Sequence, residues 1–144
     1  MKPRHFLGQL DRRRIETAIQ QAERATSGEI RVVITRRRVD DAVAAARAEF
    51  ARLGMHRTQQ HNAILLFVAP ESQSFAVVGD DGVHAKCGDA FWSAVAAAMQ
   101  GHFRSGQHTA ALVEGIERAG QLLGEHFPRR PDDVDELPNR VVED

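Results

Sequence analysis

A chain of 144 residues, 42% hydrophobic and 27% charged, is sized for one domain that buries roughly 68% of the surface its unfolded form exposes. Its 19 Lys and Arg nearly cancel its 20 Asp and Glu, which excludes a global field that draws in nucleic acid or an anionic membrane. A single cysteine excludes an internal disulfide framework and a CxxC zinc ribbon.

The opening MKPRHFLGQLDRRR has no apolar core of a signal peptide. The longest apolar run, AILLFVA, falls far short of the ~18 residues of a membrane span, so a soluble, cytoplasmic protein without membrane insertion is expected. From 11 to 26, Ile15, Ile19 and Ala22 recur at helical spacing and Ser27-Gly28 stops the helix. EIRVVIT (29–35) alternates and is rich in β-branched residues, which predicts a strand. The alanine-rich segment 41–54 predicts a second helix closed by Gly54. NAILLFVAP (62–70) and FAVVGD (75–80) read as a hairpin whose first strand is covered on both faces. Residues 88–103 carry a stripe of Trp92, Val95, Met99 and Phe103, and 109–127 one of Leu112, Ile116, Ala119 and Leu123; both read as packed helices. The final PRRPDDVDELPNRVVED is proline-rich, acidic and aperiodic.

This order predicts an α/β fold, a three-layer α/β/α sandwich with a small mixed sheet and about four helices. The domain is expected over 8–127 and a tail over 128–144. A right-handed crossover makes the first two strands parallel, and the hairpin makes the third antiparallel. Glu29, His61-Asn62 and Asp80-Asp81 then emerge at one edge, with His84 behind them and Met55 to Thr58 and the PDDVDE segment brought alongside.

Converging carboxylates and amide oxygens suit a hard cation, and Glu29, Asn62, Asp80 and Asp81 are the candidate ligands. The spacing is not an EF-hand loop, and Asp80-Asp81-Gly82 also has the composition of a plain turn. His56, His61 and His84 are candidates for a softer metal or for proton transfer, although their spacing matches no ligand motif. A cysteine phosphatase loop places an arginine six positions after its thiol, and that position is Ser93 here. No nucleophile elbow or phosphate-binding lysine loop occurs. Cys87 reads as a residue at the start of a helix, whose N-terminus lowers the thiol pKa where it is exposed. Arg36 to Arg38 and Arg129-Arg130 read as solvated faces, and Phe91, Trp92 and Phe103 as core.

SGEIRVVI after the first helix, NAILLFVAPESQSFAVVGDDGVH as hairpin and end loop, and HFRSGQHTAALVEGIERAGQLL as closing helix together resemble the TPM domain family across residues 10 to 125. The ending HFPRRPDDVDELPNRV is similar to a short branch of that family without signal peptide or anchor. The resemblance implies an α/β/α sandwich, a weak acid phosphatase activity, and binding of calcium or another divalent cation at the hairpin-loop edge. Its ligand positions fall on Glu29, Asn62, Asp80 and Asp81. This chain has His61 before Asn62-Ala63, where many members have an aspartate before Asn-Gly. It has Gly79-Asp80-Asp81-Gly82 where their loop is glycine-aromatic-glycine followed by glutamate.

The expected function is a divalent-cation-dependent hydrolase of phosphomonoesters, with His84 or His56 assisting proton transfer and no organic cofactor. The alternative is a non-catalytic module that binds a cation or, through its tail, a protein partner.

Overall fold

The computed structural model describes residues 2–129 and 141–143. Two runs of aliphatic and β-branched residues form its centre: β1 (Glu29–Ile34) and β2 (Ala63–Ala69) are buried at every position, as strands covered on both faces must be. They run parallel, Glu29 opposite Ala63 and Ile34 opposite Val68. A 3₁₀ turn at Pro70–Ser72 reverses the chain into β3 (Ser74–Gly79), antiparallel to β2. The sheet order is β3-β2-β1-β4, where β4 (Val142–Glu143) lies parallel to the far end of β1 beside Val33 and Ile34. The end of the tail is thus a strand.

Around the sheet stand α1 (Pro3–Gln9), α2 (Arg12–Glu23), α3 (Ala42–Arg52), α4 (Asp81–Cys87), α5 (Asp89–Arg104) and α6 (His108–His126). Side chains alternate across a pleated strand, so Ile30, Val32, Ile34, Ile64, Leu66 and Val68 join one core with Ile15, Ile19, Val95, Met99, Leu112 and Ile116. The opposite face carries Val33, Leu65, Phe67, Ala76 and Val78 against Ala46 of α3. This is the expected three-layer arrangement, with one helix on one side and the rest on the other. Phe67 has no exposed surface, and burial of such a side chain contributes ~1.5–3 kcal/mol.

Local signals set the helix starts. Asp11 and Asp41 cap α2 and α3, their carboxylates accepting from the amides of Arg14 and Ala44, both at 3.1 Å. Two helices go beyond the expected set. α1 begins on Pro3, a favoured first helical residue, and anchors through Phe6, which is 3% exposed. α4 follows β3 directly, where the sequence favours a turn.

Candidate functional site

Parallel β1 and β2 start, and antiparallel β3 ends, at the same edge of the sheet. The Glu29 amide donates to the Asn62 carbonyl at 3.4 Å, and the Asp80 amide to the Ala63 carbonyl at 3.0 Å. Asp80, Ala63 and Glu29 are therefore level across the three strands, each about 4.8 Å of strand spacing from the next, and Asn62 stands one residue before Ala63, on the other side of the pleat. Asp80, Asn62 and Glu29 are buried, at 8%, 1% and 2% exposure.

Asn62 is held from two sides. Its amide nitrogen Nδ2 donates to Ser27 Oγ at 3.2 Å, and its backbone N–H donates to Thr58 Oγ1 at 3.3 Å. Ser27 Oγ also accepts from Gln60 Nε2 at 3.2 Å. Asn62 Oδ1, by contrast, is buried without a hydrogen-bond partner among the described residues, a condition that ~90% of buried polar groups avoid. Glu29 shares its face of β1 with Arg31, which is 6% exposed.

Asp80 is not part of a turn. Its Oδ1 accepts from the Asp81 amide at 2.8 Å, and its carbonyl accepts from the amides of Val83 and His84 at 3.1 and 3.3 Å. It is the N-cap of α4, a role for which aspartate is among the preferred residues. The first turn of α4 presses on the loop before β2: a Cβ at Gly82 would overlap the carbonyl oxygens of both Gln60 and His61. In that loop His61 adopts the left-handed region, φ +50°, and its Nδ1 lies 3.3 Å from Asp80 Oδ2.

Of the histidines, then, His61 meets the buried carboxylate. His84 is turned to α5, where its Nδ1 accepts from Trp92 Nε1 at 3.4 Å and lies 3.9 Å from Asp89. His56 is exposed in a 3₁₀ turn, Met55–Arg57, and Asp81 is exposed in the first turn of α4. The structure thus places Glu29, Asn62 and Asp80 at the same edge of the sheet and adds His61 in contact with Asp80. Among the described residues no group of three or more His, Cys, Asp or Glu side chains is close enough to hold a metal ion.

Cys87 is the last residue of α4, and the expected effect of a helix N-terminus is absent. Burial raises its thiol pKa, Glu125 adds to the rise, and Lys86 opposes it, so the thiol is not activated. The chain leaves α6 beside the polar edge, where Pro128 bridges Thr26. The PDDVDE segment lies outside the described residues, and by Val142 the chain has reached the other end of β1. Of the basic runs, Arg36 pairs with Glu143 at 3.3 Å and Arg37 with Glu49 at 3.4 Å. Arg129 donates to the Glu23 carbonyl at 3.2 Å.

A profile of the TPM domain matches residues 1–122. The chain belongs to the TPM domain family. Its fold is similar to the NMR structure of the BA42 protein from the psychrophilic bacterium Bizionia argentinensis, at TM-score 0.87 and 38% identity, covering 92% of each chain. It is also similar to the N-terminal domain of a protein from P. gingivalis, at TM-score 0.64 and 19% identity over 79% of this chain and 75% of that one. The N-terminal domain of cg2496 from Corynebacterium glutamicum matches at TM-score 0.64 and 18% identity, over 79% and 74%. At such identities these last two share the fold alone. A search of curated proteins finds no match. Among the described residues no helix is long and apolar enough to cross a membrane.

Proposed function

We propose that the polar edge of this TPM domain is a divalent-cation site that serves hydrolysis of phosphomonoesters. The observation that carries the reading is Asn62 Oδ1, an acceptor 1% exposed at the residue level and without a partner among the described residues. A hard cation such as calcium takes oxygen ligands; Glu29, Asn62 and Asp80 at the edge are the residues that would hold it, with the exposed Asp81 next to them. When bound, such an ion supplies Lewis-acid stabilisation of charge on a phosphoryl group.

The remaining work falls to the chain's own side chains. Ser27 fixes the Asn62 amide so that Nδ2 is engaged and Oδ1 is left as the acceptor. Asp80 Oδ2 orients the His61 ring through Nδ1, which leaves Nε2 as the ring atom that would hand a proton to a leaving alkoxide. His61 takes this role in place of His84, whose Nδ1 accepts from Trp92. A second reading, a cation-binding module without turnover, is favoured by the absence of an activated nucleophile among the described residues: the one thiol has its pKa raised by burial.

Metal-stripped protein titrated with calcium, then magnesium and zinc, tests the site through the amide shifts of Glu29, Asn62 and Asp80 to His84. Saturable shifts are expected there, and Asn62→Ala should weaken them at least about tenfold, as loss of an ion ligand does. Turnover of p-nitrophenyl phosphate with the bound ion tests the chemistry. If Asp80→Asn combined with Asp81→Asn leaves turnover unchanged, the hydrolase assignment to this edge fails; ion binding without turnover establishes the module.

A further inference from the structure

At the other end of the sheet, where β2 turns into β3, the surface opens into a cleft of about 460 Å³, within the ~300–1,000 Å³ of small-molecule sites. Four elements contribute aromatic walls: Phe6 from α1, Phe75 from β3, Phe103 from α5 and His108 from α6. The rings are already in contact, Phe75 with Phe103 at 5.0 Å and Phe6 with His108 at 4.5 Å between centroids. Among the described residues no aspartate or glutamate lines the cleft; its one permanently charged residue is Arg104, which has no ion pair among the described residues.

The wall also carries polar atoms that the fold leaves unmatched. Ser74 Oγ and both ring nitrogens of His108 are buried without a hydrogen-bond partner among the described residues. Three such atoms among the residues that line one cleft are unusual in an interior where nearly every polar group is paired. Burial and the neighbouring His5 hold the His108 pKa below its ordinary value, so the surroundings of the ring already disfavour a further positive charge. An aromatic body would lie against Phe75 and Phe103 with its edge toward His108, and its head group would meet the Arg104 guanidinium, which binds a carboxylate through two parallel hydrogen bonds. A cation would face only positive groups, and a neutral ligand would leave Arg104 without a counter-charge.

We propose that this cleft is a second binding site, distinct from the polar edge, for a small amphipathic monoanion with an aromatic body and a carboxylate head. The probe is 4-phenylbutyrate, compared with the neutral 4-phenylbutyramide and the cationic 4-phenylbutylamine in amide-shift titrations of the whole chain. The acid should give saturable shifts at Ser74, Phe75 and Phe103 to His108, leaving Glu29, Asn62 and Asp80 unmoved. The amide should bind about tenfold more weakly, since one charge-assisted hydrogen bond separates the two. Arg104→Gln, an exposed position, should weaken the acid by the same factor and leave the amide unaffected. Gln100→Trp, on the cleft wall of α5, should fill the space and abolish binding of both while the rest of the spectrum stays native. The proposal is overturned if the amine binds as well as the acid, if Arg104→Gln leaves the acid unchanged, if the shifts fall outside the cleft, or if no saturation occurs by roughly 10 mM, tenfold above a millimolar Kd.

Discussion

At the end where β1 and β2 begin, three buried polar residues stand at the ends of adjacent strands; at the end where β2 turns into β3, phenylalanines and a histidine surround open space. The first is fixed by backbone. Asp80 caps a helix with the same carboxylate that faces His61, and Gly82 leaves no room between α4 and the Gln60-His61 carbonyls. The second is shaped by side chains, and a Cβ at either Gly101 or Gly106 would meet nothing within 4 Å. Placing charge demands the rigid end, because a misplaced buried carboxylate is costly. Shape recognition tolerates the looser one.

Substitutions at the two ends should differ in sign as well as size. Gly82→Ala forces a methyl into two carbonyl oxygens and should cost about 3 kcal/mol, at the upper range for overpacking, read from the urea midpoint. Thr26→Val removes the hydroxyl that donates to the Phe127 carbonyl and accepts from the Gly28 amide, and should cost about 2 kcal/mol for the buried groups left unpaired. Asp80→Ala should cost about 1 kcal/mol through loss of the cap, while Asp80→Asn, which still caps, should cost only a few tenths; equal losses would show that the cap is not what Asp80 contributes. At the open end Gly101→Ala should raise stability by about 0.5–1 kcal/mol, since alanine suits a helix interior and nothing is in its way.

The smallest effect is one of pH. His108 has its folded pKa below the ordinary histidine value of 6.5, so as pH falls the unfolded chain takes up the proton first. The stability associated with its neutral ring is complete above about pH 6.5 and is lost as pH drops toward the lower folded pKa. His108→Gln should flatten the stability profile in that window, measured by urea unfolding at stepped pH.

The crossover and hairpin were legible because EIRVVI and AILLFVA carry their burial in their composition, and strand direction then brought Glu29, Asn62 and Asp80 to one edge. α4 was not legible. Of its residues only Val83 is buried, so no apolar stripe announces a helix, and Asp-Asp-Gly suits a turn as well as a capped first turn. The choice is made by contact with the Gln60-His61 loop, which no local window contains. In the sequence His61 stands level with His56 and His84, and only its left-handed backbone and Asp80 set it apart. The cleft left no trace in the sequence, because its walls come from segments far apart in the chain.

One further consequence concerns the order in which the chain is made. β1 is formed early in synthesis, yet the strand that lies along its outer edge, β4, comes from residues 142 and 143. Until those residues leave the ribosome, a central, fully buried strand of the finished sheet presents free amides and carbonyls along part of its length, the condition under which nascent chains pair with one another. Near its start the Ile30 amide is already taken by the Glu23 carboxylate at 2.9 Å, a local stopper supplied by the helix made just before. The outer edge of β1 is thus shielded at its start by α2 and at its far end only by residues 142 and 143, and a nascent chain arrested at residue 128 should associate more readily than one that reaches 144.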